Sequence, residues 1–337
     1  MMAYFAEEGF ADWMRQEVEP YLRQHGEQGC FLGSGGAVIH YHRYRLENAE
    51  KCVVISHGFC EFAEKYNEMI YYLMHAGYSV YIPEHRGHGY SDRSTPDAEM
   101  VHVEAYEDYV RDFVTFVKTV VVPREKERYL LGHSMGGAIA ILTLEQYPTL
   151  FRAAVLSSPM CGMKTGRFSN RLADLVAWMC CRLGKGKSYA IGQSGFREMP
   201  DFVGSSCVSE ARYQYIFQKR LECPQYRTYG GSYAWVHAGI KAGRQLMKKK
   251  NLEKISIPIL LFMAGNEHMV DNVKIEEFAK HTKQTQLVMV QNAKHEIFNA
   301  DRESRRAYYE EVFAFLRKAH DVGDTNITTD TKNRRDE

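Results

Sequence analysis

Hydrophobic residues in this chain fall into short continuous runs separated by stripes of helical spacing. Lys51 to Ser56, Tyr78 to Pro83, Arg128 to Leu131, Ala153 to Ser157, Ile257 to Ala264 and Gln286 to Val290 are runs of strand length. Between them, residues 61–76 put Phe62, Tyr66, Met69, Ile70 and Leu73 on one helical face. Residues 104–120, 138–144, 272–281 and 301–319 also read as helices. Strands that alternate with helices predict an α/β fold, with a mostly parallel sheet covered on both faces. Upstream, Gly33-Ser34-Gly35-Gly36 is a turn and Ala37 to Arg45 alternates like a strand. Residues 1–36 form a segment whose Phe5, Phe10, Trp13, Met14, Val18 and Leu22 predict an amphipathic helix packed on the body.

The alternation stops at residues 160–237. Leu172, Leu175, Val176, Met179 and Leu183 recur at helical spacing there, followed by Gly-rich and Tyr-rich stretches. The segment reads as an inserted cap over the carboxyl ends of the strands, with its apolar helix sheltering an apolar ligand. The body is then 37–159 and 238–318. Residues 319–337 are polar, lack an apolar run and are expected to be disordered.

The composition is that of a globular protein: 337 residues, 45% hydrophobic and 25% charged. A formal net charge of +1 gives no reason to expect nucleic acid as a partner. The charge is uneven, however. The cap holds eleven Lys/Arg against five Asp/Glu, and Lys241, Arg244, Lys248, Lys249 and Lys250 extend the field. A basic, partly apolar cap suits contact with an anionic membrane face or a phosphate head group. The eight cysteines form no C-x-x-C pair and read as reduced thiols. The N-terminus carries no secretory pattern, and there is no run of eighteen apolar residues. The expected location is cytoplasmic, with at most peripheral contact at the inner face of the membrane.

The chemistry concentrates at Gly132-His133-Ser134-Met135-Gly136, a G-x-S-x-G turn between a strand and a small-residue helix. In that setting the motif is a nucleophile elbow. Gly132 and Gly136 clear space, Ser134 presents its hydroxyl, and the Met135 N–H points to where an oxyanion forms. A serine nucleophile needs a base and an orienting acid, in chain order Ser, acid, His. The loop after Ile257–Ala264 offers two carboxylates, Glu267 and Asp271. The loop after the last strand offers His295. The turn His57-Gly58-Phe59 supplies a second oxyanion donor, the Phe59 N–H. His85 and His88 have the H-x-x-H spacing of metal ligands, but no third ligand is evident and serine chemistry needs no metal.

These residues resemble a family. His57-Gly58, Glu61, Glu84-His85-Arg86-Gly87-His88-Gly89-Tyr90-Ser91, the elbow with Gly137, and Leu156-Ser157-Ser158-Pro159-Met160 are similar to the monoacylglycerol lipase and lysophospholipase branch of the α/β-hydrolases. Tyr189-Ala190-Ile191-Gly192, Gly230-Gly231-Ser232-Tyr233-Ala234-Trp235-Val236 and Glu267-His268-Met269-Val270-Asp271-Asn272 narrow this to the bacterial lysophospholipase L2 type, among the serine aminopeptidase S33-like hydrolases. The resemblance runs from about residue 30 to 318. It implies Ser134 as nucleophile, His295 as base, and the Phe59 and Met135 N–H groups as oxyanion hole, with no cofactor. Where many relatives carry Asp, this chain has Glu267, and the alignment favours Glu267 over Asp271 as the acid. The implied activity is serine hydrolysis of single-chain lipid esters, lysophospholipids or monoacylglycerols. A proline-iminopeptidase-like aminopeptidase on the same scaffold should carry an acidic cap to hold a free amine. A non-hydrolytic ligand receptor should lack an intact triad.

Overall fold

A computed structural model describes residues 4–47 and 49–332, with side chains as far as Asp321. The N-terminal segment is a continuous helical stretch: Phe10–Trp13 (α1), a π turn Met14–Val18, and Glu19–His25 (α2). Phe10, Met14, Val18 and Leu22 are its buried face, at a spacing of four. The segment does not end in a simple turn. Gly26–Leu32 (β1) pairs antiparallel with Val38–Tyr44 (β2) and adds a strand to the sheet. It was not legible because an edge strand needs little apolar surface, and Glu27, Gln28 and Gly29 break any apolar run.

The body continues with Lys51–Ser56 (β3), Asn67–His75 (α3), Ser79–Pro83 (β4), the short Met100–Val101 (β5), Glu107–Phe116 (α4), Glu127–His133 (β6), Ser134–Gln146 (α5) and Ala153–Ser157 (β7). The inserted region carries Asn170–Arg182 (α6), Glu210–Glu222 (α7), Gly230–Gly231 (β8) and Tyr233–Leu246 (α8). The short Lys249–Leu252 (α9) leads to Ile259–Ala264 (β9), Asn272–His281 (α10), Thr285–Val290 (β10) and Arg302–Lys332 (α11). The last helix thus runs past residue 319, and residues 333–337 lie outside the described residues.

The main sheet has eight strands in the order β1-β2-β4-β3-β6-β7-β9-β10. From β4 to β10 all neighbours are parallel. The central strands are buried on both faces, which explains why their sequences are continuous apolar runs. Alternation still sorts them. Val54, Leu130 and Leu261 face one apolar layer, with Phe113 and Ile139. Val53, Ile55, Leu131 and Phe262 face the other, with Ile70 and Tyr308. β3 and β6 are neighbours, with Ser56 paired to Gly132. Their carboxyl-end loops therefore open side by side.

The segment between β7 and α9 is held unequally. On α7, Arg212 reaches Glu68 of α3 with Nε at 2.7 Å and Nη2 at 2.6 Å, and Lys219 bridges Glu19 and Glu64 at 2.8 and 2.9 Å. Part of the basic excess is therefore spent on docking α7 to the body. α6 is different: its Asp174 pairs with His237 and Arg244 of α8, and Ala177 is its one buried residue. Four residues of the stripe expected to shelter a ligand are exposed, Leu172 45%, Leu175 50%, Met179 48% and Leu183 72%, and Val176 is half-buried. No helix among the described residues is long and apolar enough to cross a membrane.

Candidate active site

β6 delivers the chain into the elbow at full burial. Ser134 has φ +52°, in the left-handed region that a residue with a Cβ adopts at a cost. The surroundings over-determine it. A Cβ on Gly136 would lie 2.0 Å from the Ser56 carbonyl oxygen, and one on Gly132 would lie 3.0 Å from the Ala140 Cβ. Only glycines let the turn close this tightly onto β3 and α5. The Met160 N–H donates to the Ser134 carbonyl at 2.9 Å and ties the elbow to the loop after β7. α5 then starts at Ser134, so its first N–H groups, including that of Met135, face the same point.

The loop after β3 holds the other expected oxyanion donor. Carbonyls only accept, so His57 Nδ1 donates to the Gly58 carbonyl at 2.8 Å, and His57 Nε2 accepts the His85 N–H at 2.9 Å. Gly58 N–H donates to Glu61 Oε2 at 2.6 Å, and Cys60 N–H to His88 Nε2 at 3.1 Å. The amides on either side of Phe59 are thus engaged, while among the described residues no hydrogen bond takes up the Phe59 N–H. Burial pushes the His57, His85 and His88 imidazoles down, which keeps them neutral for these roles. His85 and His88 therefore serve as braces for the loop: His85 Nε2 meets Ser56 Oγ at 3.0 Å, and His88 Nδ1 meets the Arg86 carbonyl. The Phe59 ring packs on Trp235 of α8 at 4.1 Å between centroids.

The two candidate acids separate clearly. Asp271 Oδ1 accepts the Val273 N–H at 3.0 Å and caps α10. Glu267 Oε2 lies 2.8 Å from His295 Nδ1, and its Oε1 accepts the N–H groups of Met269 at 2.7 Å and Val270 at 3.2 Å. Burial pushes the Glu267 carboxyl up. The hydrogen bond and charge of His295 and the two amides outweigh it and hold the group at about 2. The His295 ring lies 4.9 Å from that of His133, the residue before Ser134. The structure thus joins Glu267 to His295 beside the elbow and leaves Asp271 at a helix start.

Three further groups brace the site and were missed from sequence. Lys65, almost fully buried, sits 2.7 Å from both Glu61 Oε1 and Glu296 Oε1. Glu61 holds the Phe59 loop through Gly58, and Glu296 follows His295, so one ammonium ties the two loops together. Burial pushes both carboxyls up, but Lys65 pulls them below the ordinary range. From α7, Arg220 Nη2 donates to the Cys60 carbonyl at 2.6 Å, where Cys60 has φ +58°. Glu61 and Lys65 are one helical turn apart, a local hint. Glu296 and Arg220 come from distant segments, with no signal in the sequence.

The family described as serine aminopeptidase, S33, matches residues 47–303, which includes the elbow, Glu267 and His295. The chain belongs to that family. Among curated members, "Lysophospholipase L2" of Escherichia coli is 32% identical over 275 residues, 81% of this chain and 80% of its own length. "Probable lysophospholipase L2" of Haemophilus influenzae is 28% identical over 310 residues, 91% and 97% of the two chains. Among solved structures, a monoglyceride lipase from Saccharomyces cerevisiae in complex with a substrate analog superposes with a TM-score of 0.67 at 17% identity, covering 87% and 96% of the chains. At that identity the likeness shows the fold alone, the α/β-hydrolase fold.

Proposed function

We propose that Ser134, His295 and Glu267 form a catalytic triad that hydrolyses the acyl ester of a single-chain lipid, a lysophospholipid or a monoacylglycerol. The observation that carries this reading is the buried Glu267–His295 hydrogen bond of 2.8 Å beside the strained Ser134 elbow. His295 takes the Ser134 proton through Nε2 while Glu267 holds Nδ1–H. The alkoxide attacks the ester carbonyl, and the N–H groups of Phe59 and Met135 receive the oxyanion. The alcohol leaves with the proton from His295, and water repeats the sequence on the acyl-enzyme. The names of the curated relatives, lysophospholipases and monoglyceride lipases, supply the substrate class.

The cap supports a finer reading, peripheral contact with an anionic membrane. Exposed Arg167, Arg171, Arg182, Lys185 and Lys187 lie at or beside the two ends of α6. An apolar stripe with a basic surround is the pattern of an interfacial helix.

Two measurements test these readings. A fluorophosphonate should label Ser134, and Ser134→Ala should lower turnover of lysophosphatidyl lipids or monoacylglycerols by several orders of magnitude while the fold persists. Labelling elsewhere, or preference for prolyl amides in the same panel, overturns the proposal. Ser134→Ala protein should co-sediment with anionic vesicles and not zwitterionic ones, and should release at high salt. Equal binding to both vesicles, or to neither, removes the membrane reading.

A further inference from the structure

A second cluster of ligating side chains stands apart from the triad. His40 and His42 lie two residues apart on β2, so the pleat sends both to one face. Glu84 follows β4, the neighbour of β2, and its N–H donates to the His40 carbonyl at 2.9 Å. Its carboxylate is fully buried. His40 Nδ1 is 3.3 Å from Oε2, and His42 Nε2 is 4.0 Å from Oε1. The three ligand atoms lie within 4.8 Å of one another.

Both nitrogens are buried: His40 Nδ1 faces Glu84 Oε2 as an ion pair, while His42, only 3% exposed, has no hydrogen-bond partner for Nε2. The buried His42 Nε2, 4.0 Å from Glu84 Oε1, is too far for a direct hydrogen bond and is left without a partner that a bound cation would supply. The Glu84 oxygens also accept the N–H groups of Ala63 at 3.1 Å and Tyr90 at 2.8 Å. Each oxygen keeps a free lone pair, so these bonds leave room for a metal.

We propose that His40 Nδ1, His42 Nε2 and a Glu84 oxygen ligate one divalent ion of the zinc class. Two imidazoles and a carboxylate form the borderline N/O set that suits Zn²⁺ and Co²⁺. Tetrahedral ligation at about 2.0–2.2 Å sets ligand atoms about 3.3–3.6 Å apart. The His40–Glu84 edge is already at that length, and the other two, at most 4.8 Å, must shorten on binding. His42 also lines a cavity of about 410 Å³. The ion would pin β2 to the loop from Glu84 to Tyr90. That loop carries His85 and His88, which brace the turn around Phe59. The site is structural, and it does not depend on the identity of the substrate.

Titration of the full chain with CoCl₂ and ZnCl₂ tests the assignment. Calorimetry should show one saturable site, cobalt should give the visible absorption of a tetrahedral ion without a thiolate band, and zinc should raise Tm. His42→Gln and His40→Gln should each weaken binding at least about 100-fold and abolish the zinc shift in Tm, whereas His295→Ala should retain both. If His42→Gln does not fold, His40→Gln alone decides, since its ring is partly exposed. Equal affinity in the wild type and the His40 variant, a thiolate band, or no saturable binding overturns the proposal.

Discussion

Two helices of thirteen residues, α5 and α6, show how differently one chain uses apolar sequence. α5 follows the nucleophile elbow and is apolar all round. Every residue from Ser134 to Glu145 is buried. α6 follows β7 and has an apolar stripe on a polar helix, yet it buries only Ala177. A stripe says that a face is apolar, not which way it turns. Asp174 decides the matter, because its ion pairs with His237 and Arg244 turn the polar face of α6 inward. The framework that holds Ser134 is thus buried, while α6 exposes apolar side chains.

The largest contrast should come from the framework's own carboxylate. Glu267→Gln should cost about 10⁴ in kcat, since it disrupts the tautomer and imidazolium of His295. Asp271→Asn should leave kcat within a few-fold, because Asn caps a helix as well as Asp does. Steady-state kinetics on the two variants checks this, and a reversed order transfers the acid role to Asp271.

Acid should strike the framework next. Glu267 is held at about 2, below its unfolded value near 4.3. Its contribution is therefore complete above about pH 5 and is lost as pH falls from about 4.3 through 2. That is on the order of 3 kcal/mol for this buried group. Denaturant melts between pH 6 and 3 should show the decline in the wild type and a shallower slope in Glu267→Gln.

One pair of substitutions separates the two helices directly. Gly136→Ala drives a Cβ into the Ser56 carbonyl at 2.0 Å and should destabilise by roughly 3 kcal/mol. Leu175→Ser on the outward stripe should stay within about 0.5 kcal/mol, while its vesicle binding falls. A loss of stability at Leu175 comparable to that at Gly136 would mean that the stripe of α6 is covered.

The α/β pattern and the turn at Ser134 were legible because each rests on local information. A buried parallel strand writes itself as an apolar run, and a turn tight enough for Ser134 demands glycine at Gly132 and Gly136. Edge strand β1 was not legible, since exposure on one side removes the need for apolar residues. The orientation of α6 was missed for the opposite reason: its stripe is plain in the sequence, but the partners of Asp174 are 63 and 70 residues away.

The sequence by itself determined the class of fold, the tight glycine-flanked turn at Ser134 and a short set of candidate partners for it, because these depend on backbone sterics and periodicity within one segment. Tertiary structure alone decided which carboxylate reaches His295, since Glu267 and Asp271 lie four residues apart and only the path of the loop gives one to a histidine and the other to a helix start. It also decided that Lys65 ties the loops of Phe59 and His295 together, and that His40, His42 and Glu84 converge. These outcomes belong to pairing between distant segments, where burial makes an unpartnered charge too costly to leave, and no local pattern records which partner will arrive.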